Sequence, residues 1–140
     1  MEQSSKTLTF VVPAYNMETY LERCVESLLS ATDNSDIEVL IVDDGSSDST
    51  PELADMYERR WPGNVRAIHQ VNKGHGGAVN TGIANATGMY VKVVDADDWV
   101  DMPSIDTLMG TLRVQRVATD PVDMIVTNYV YDKVGKRVKH

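Results

Sequence analysis

Val91-Lys92-Val93-Val94-Asp95-Ala96-Asp97-Asp98-Trp99 opens as an apolar, largely β-branched run and breaks off at three carboxylates within four residues. A short apolar run bounded by a turn signal reads as a buried strand. Carboxylates just past the carboxyl end of such a strand lie where open α/β sheets bind ligands. Three acids this close repel one another unless a positive charge sits between them. An oxygen-seeking divalent cation, Mg²⁺ or Mn²⁺, is the natural counter-charge, and it shares its remaining positions with substrate phosphates. The alternative is an acidic turn that caps the next helix, and the rest of the chain weighs against it.

At 140 residues the chain is one domain's length, 1–140, large enough to bury a core. A net charge of −8 argues against nucleic acid as a partner, and no basic stripe with interleaved aromatics appears. An acidic protein still binds a diphosphate when a cation or a local set of donors reverses the field. The single cysteine, Cys24, excludes an internal disulfide and suits a reducing, cytoplasmic compartment. No apolar run approaches the roughly 18 residues of a membrane span, and the start lacks a signal-peptide pattern.

Strand and helix patterns alternate along the chain. Met1–Lys6 is polar and frayed, and Thr7–Val12 is a strand closed by Pro13. Asn16 is placed to cap a helix whose apolar positions Tyr20, Leu21, Cys24, Val25, Leu28 and Leu29 recur at helical spacing. Ile37–Val42 is apolar almost throughout, the pattern of a strand covered on both faces, and it ends in Asp43-Asp44-Gly45-Ser46. Ser49 and Glu52 have the form of a capping box, with Pro51 tolerated in the first turn, and the helix runs to Trp61. Val65–Val71 is a weaker strand, and the segment 72–77, rich in glycine, opens a helix over Ala78–Ala86. Met89–Val94 is the next strand, Asp101 and Pro103 start another helix, Val122–Val130 reads as a strand, and the charged residues 132–140 read as a turn about Gly135. This alternation argues for an α/β fold with a parallel sheet.

In such a sheet the loops after the strands share one edge. Tyr15 then offers a flat ring and a hydroxyl for a base, and Asp44 an acceptor for a base N–H or a ribose hydroxyl. Asp43 is as well suited to holding the loop backbone. The glycine-rich segment supplies backbone N–H groups with Lys73 beside them, which suits an anion.

These motifs, in order, are Phe10-Val11-Val12-Pro13-Ala14-Tyr15-Asn16, Val39-Leu40-Ile41-Val42-Asp43-Asp44-Gly45-Ser46-Ser47-Asp48, Gly76-Gly77-Ala78-Val79-Asn80-Thr81-Gly82 and Val94-Asp95-Ala96-Asp97-Asp98. Over roughly residues 7 to 105 the chain resembles the nucleotide-sugar-binding half of a family 2 glycosyltransferase, with the mostly parallel, Rossmann-like sheet called the GT-A fold. The resemblance implies a nucleoside-diphosphate sugar donor, most often a UDP-sugar, and metal-dependent transfer with inversion to a carbohydrate or lipid acceptor, typically in polysaccharide or glycolipid synthesis. It implies that Pro13, Ala14, Tyr15, Asp43 and Asp44 serve the nucleoside. Lys73, Gly77 and Asn80 belong to the donor site through the glycine-rich segment. Asp95, Ala96 and Asp97 match the D-x-D motif, with Asp95, Asp97 and Asp98 as candidate metal ligands.

Two departures stand out. Family members commonly carry arginine where this chain has Val79, which leaves Lys73 or His75 to hold the donor. No acid after Asp97 lies in a recognisable base motif, although inverting transfer needs a general base. The chain therefore reads as a segment truncated before the acceptor-binding half, inactive in transfer by itself, with an exposed sheet edge that favours self-association. The full-length protein is then expected at the inner face of the membrane. A non-catalytic nucleotide-binding or scaffolding α/β domain is the competing reading. A phosphoacceptor receiver domain fits worse, because its paired acids follow the first strand, and here the pair follows the second.

Overall fold

The computed structural model describes residues 6–120, together with the backbone of two strands at 130–133 and 136–139. Four strands, β1 (Leu8–Ala14), β2 (Ile37–Asp44), β3 (Val65–Gln70) and β4 (Tyr90–Val93), form a parallel sheet in the order β3-β2-β1-β4. The helices between and after them are α1 (Leu21–Leu28), α2 (Thr50–Arg60), α3 (Gly74–Asn85) and α4 (Met102–Val117). A second, antiparallel sheet orders β5 (Asp98–Trp99), β6 (Val130–Lys133) and β7 (Lys136–Lys139).

Side-chain alternation along β1 and β2 sorts the core into two layers. Phe10, Val12, Val39 and Ile41 face the larger layer, with Leu21, Val25 and Leu28 of α1, Tyr57 of α2, and Ile105 and Met109 of α4. Val11, Leu40 and Val42 face the other way, onto Ala78 of α3. Every residue of β1 and β2 is buried, as the uninterrupted apolar run in β2 leads one to expect. Gly82 lets α3 lie flush on the sheet, because a Cβ there would overlap Val11 Cγ1.

The chain adds β2 and then β3 on one side of β1 and crosses back to place β4 on the other. The strand order therefore reverses between β1 and β4, and a crevice opens at that point beyond the carboxyl ends.

The local readings need several corrections. The run 91–94 is not wholly buried: among the described residues β4 is the last strand of its sheet, and Val91 and Val93 are 40% and 37% exposed. Asn16 does not cap α1, which starts at Leu21 after Tyr20. It adopts a left-handed backbone, φ 53°, and its side chain serves the neighbouring loop instead. Ser49 stands at the start of α2 but makes no side-chain cap, and Asp48 Oδ1 accepts the Thr50 N–H (2.8 Å) in its place. The helix expected over 78–86 begins earlier, at Gly74, which makes the glycine-rich segment its first turn. Asp101 does cap α4, accepting the Ser104 N–H at 2.7 Å. Residues 132–140 are not simply a turn, since 130–133 and 136–139 pair as antiparallel strands. Met1–Ser5, most of the strand read over 122–130, and Gly135 lie outside the described residues.

Candidate active site at the strand ends

A cavity of about 360 Å³ sits at the reversal of strand order, within the size range of small-molecule sites. Pro13, Ala14 and Tyr15 line it from the end of β1, with Met17 just beyond. Asp44 lines it from β2, while Asn72, Gly74 and His75 come from the start of α3. Asp95, Ala96 and Asp97 close it after β4.

The β2 end is internally satisfied. Asp44 is 3% exposed, and its Oδ1 accepts the Lys73 backbone N–H (2.8 Å) and the Gln70 side-chain amide (2.9 Å). The Asn72 side chain donates to the Asp44 carbonyl at 3.0 Å. Gly45 follows with φ +74°, and a Cβ there would stand 2.8 Å from the Asn72 nitrogen, which leaves glycine as the fitting residue. Asp43 projects from the opposite face of β2. Its Oδ1 accepts the Ser46 N–H (3.1 Å) and its Oδ2 meets His69 Nδ1 (2.8 Å). Ser46 Oγ in turn accepts the Asn16 N–H at 2.9 Å, next to Tyr15, which is about half exposed.

The β4 end is arranged differently. Asp98 N–H donates to the Asp95 carbonyl (3.0 Å), closing a four-residue turn that points carboxylates inward. One oxygen from each of Asp95, Asp97 and Asp98 lies within 4.8 Å of the others. An all-carboxylate set at this spacing fits a hard divalent cation. Asp95 and Asp97 are half-buried and line the cavity, whereas Asp98 is buried behind them. His75 Nε2 reaches Asp95 Oδ1 at 3.0 Å. Beneath the turn, Cys24 Sγ donates to the Asp95 carbonyl at 3.6 Å, and burial followed by the three nearby carboxylates pushes this thiol's pKa well up. Arg23 stacks 4.1 Å over the Trp99 ring at the edge of the acidic turn.

Of the residues singled out from sequence, Pro13, Ala14, Tyr15, Asp44, Asp95, Ala96 and Asp97 share the cavity. Asp43, Asp98, Lys73, Gly77 and Asn80 are not among its lining residues. Lys73 contributes its backbone through Asp44, and its side chain is exposed. Gly77 is half-buried and Asn80 exposed, further along α3. Met17 and Asn72 line the cavity without having been singled out, since neither carries chemistry that spacing alone would flag.

An α/β sheet with carboxylates at its switch point and a helix start beside them is the arrangement in which open α/β folds bind ligands. The family described as Glycosyl transferase family 2 matches residues 9–139, and the chain belongs to that family. Over 92% of its length it is 34% identical to the putative glycosyltransferase EpsH of Bacillus subtilis and 40% identical to the glycosyltransferase GlyG of Streptococcus pneumoniae. It spans only 36% and 41% of those two proteins. Among solved structures, the mannosyltransferase PcManGT of Pyrobaculum calidifontis, in complex with GDP-Man and Mn²⁺, is similar at TM-score 0.66 and 25% identity, over 81% of this chain and 34% of that one. Staphylococcus aureus TarS 1-349, solved with UDP-GlcNAc, shares the fold at TM-score 0.70 and 23% identity, over 87% of this chain and 39% of that one.

Proposed function

We propose that this chain binds the donor, a nucleoside-diphosphate sugar and most simply a UDP-sugar. In the whole protein the sugar is transferred with inversion to a hydroxyl of a carbohydrate or lipid acceptor, in polysaccharide or glycolipid synthesis. The observation that carries this reading is the single cavity that joins Tyr15 and Asp44 on one wall to Asp95 and Asp97 on the other. Pro13, Ala14, Tyr15 and Asp44 take the nucleoside, with Asp43 acting from behind. Asp95 and Asp97, backed by Asp98, hold Mg²⁺ or Mn²⁺. Such an ion, when bound, supplies Lewis-acid stabilisation of charge on the diphosphate leaving group.

His75 is the one basic side chain lining the cavity among the described residues; its Nε2 meets Asp95 Oδ1 at 3.0 Å, and we assign the ring to the diphosphate side of the site. Lys73 reaches the diphosphate from outside the cavity. Gly77 keeps the first turn of α3 close to Lys73, whose Cβ a side chain at 77 would meet at 2.5 Å. Asn80 belongs to the set by family resemblance alone.

The general base is assigned to a part of the protein beyond these residues, and the isolated chain is expected to bind donor without efficient transfer. We place the protein in the cytoplasm, at the inner face of the membrane when full-length. No described helix is long and apolar enough to cross a membrane. The exposed Val91 and Val93 on β4, the last strand of the sheet among the described residues, favour self-association of the isolated chain, which light scattering would register as dimers or larger species. Nucleic acid is not a partner on this reading, given the net charge of −8.

Calorimetric titration of UDP with Mn²⁺, and again with EDTA, tests the donor site. Cation-dependent binding is expected, and no binding under either condition would overturn the reading.

A further inference from the structure

We propose that His69 is a positioning residue for the nucleoside side of the cavity, holding through Asp43 the loops that present Asp44 and Tyr15; this rests on the donor-binding reading above. His69 lies on β3 directly across from Asp43, and the next pair in register is Gln70 with Asp44. Two adjacent cross-strand pairs thus hold the two adjacent acids, one on each face of the sheet. The imidazole spans two carboxylates, with Nδ1 2.8 Å from Asp43 Oδ2 and Nε2 2.7 Å from Asp55 Oδ1 on α2.

The path continues from the buried Asp43. Its other oxygen accepts the Ser46 N–H, Ser46 Oγ accepts the Asn16 N–H, and Asn16 Oδ1 accepts the Ser47 N–H (2.8 Å). A chain of hydrogen bonds therefore runs from β3 to the loop after β2 and on to the residue that follows Tyr15. His69 is not a lining residue of the cavity, which leaves it to act through Asp43.

The charged groups facing the ring are Asp43 from β2 and Asp55 from α2. A neutral imidazole carries one N–H, and two carboxylates call for two, which favours the doubly protonated ring. Its proton affinity is raised accordingly, by Asp43 first and Asp55 second, against a smaller opposing effect of burial. Without that donor the buried Asp43 carboxylate loses a charge-assisted partner, and Ser46 loses an acceptor held in place.

The test compares His69→Asn, whose amide can donate toward Asp43, with His69→Leu, which removes both donors. His69→Gln, with its amide placed toward Asp55, separates the two contacts in a polar side chain. Amide exchange at Ser46 is measured alongside the affinities for uridine and UDP in Mn²⁺. In His69→Leu, Ser46 exchange should quicken and both ligands should weaken by about tenfold, the size of one hydrogen bond to a charged group. His69→Gln should behave like His69→Leu, and His69→Asn should restore most of both. Wild-type behaviour in His69→Leu, or equal loss in Leu and Asn variants, would overturn the proposal. Should the wild-type chain bind neither ligand, the donor reading fails separately. Ser46 exchange then judges His69 by itself: unchanged exchange in His69→Leu overturns its hold on the loop, and quickened exchange rescued by Asn upholds it.

Discussion

At the end of β2, Asp43 and Asp44 are each 3% exposed, and both carboxylates already accept hydrogen bonds from neighbouring loops or side chains. At the end of β4, Asp95 and Asp97 are half-buried and, with Asp98, turn oxygens toward one another within 4.8 Å. The residue type is the same, and position in the sheet makes the difference. A central strand is flanked on both sides, and its acids find donors on β3 and α3. Among the described residues β4 has β1 beside it, and Asp95 and Asp97 face the cavity while Asp98 is buried behind them. The first arrangement is a wall built before any ligand arrives. The second is a set of like charges that a cation would complete.

Substitutions at the two ends should therefore fail in different ways. Asp97→Ala removes part of the cation set, and the expected loss of Mn²⁺-dependent UDP affinity is at least about a hundredfold. Thermal unfolding of that variant should not move downward, because one of three mutually repelling charges is gone. A lowered melting temperature would mean that the acidic turn is as internally bonded as the β2 end. Asp44→Ala should show the reverse balance. It strands the Lys73 N–H and the Gln70 amide, costing about 2 kcal/mol of stability in denaturant titration, with weaker UDP binding besides. Gly45→Ala should cost somewhat less, about 1.5 kcal/mol, since the loop must shift away from Asn72 and a Cβ must tolerate φ +74°. Unchanged stability in that variant would show the β2 loop to be softer than its hydrogen bonds suggest.

The smallest expected effect is on pH dependence. His69 is raised above 6.5 by Asp43 and then Asp55, so its contribution is complete below about pH 6.5 and fades as pH rises through the raised value. Glu38, at the opposite end of the sheet, behaves in the opposite sense. Burial works against its charge, but the Thr87 N–H, the Thr9 hydroxyl and Arg66 outweigh that and hold it below 4.5. Its contribution is complete above about pH 4.5 and is lost as pH falls through the lowered value. Melting temperatures taken across pH should show a shallow maximum between these limits, and His69→Gln should flatten only the alkaline side.

Much of this arrangement is legible in the sequence, for physical reasons that also mark where legibility stops. Val39–Val42 reads as a doubly covered strand because nothing polar interrupts it, and β2 is buried along its whole length. The grouping of Tyr15, Asp44, Asp95 and Asp97 follows from parallel topology alone, since all carboxyl ends face one way. The run at 91–94 cannot reveal its neighbours, because apolar content says that a strand pairs but not on how many sides. The start of α3 is hidden by Gly74, Gly76 and Gly77, whose low helix propensity reads as loop. Packing of Ala78 and Gly82 against the sheet overrides that propensity. Asn16 misleads because asparagine serves both as a helix cap and as a residue tolerant of left-handed backbone. The bridge from Asp43 through His69 to Asp55 joins three elements, and no local spacing announces it.

Cys24 lies fully buried directly under the acidic turn, and it is the only thiol in the chain. Burial first, and the three nearby carboxylates second, hold it as the unreactive protonated form while the fold is closed. Alkylating reagents should therefore pass it by until α1 and the turn part company. The rate of its modification would read out local opening beneath the cation site, without any added probe. The same silence makes the native chain a clean background: a cysteine placed elsewhere on the surface could carry a fluorophore and be labelled alone.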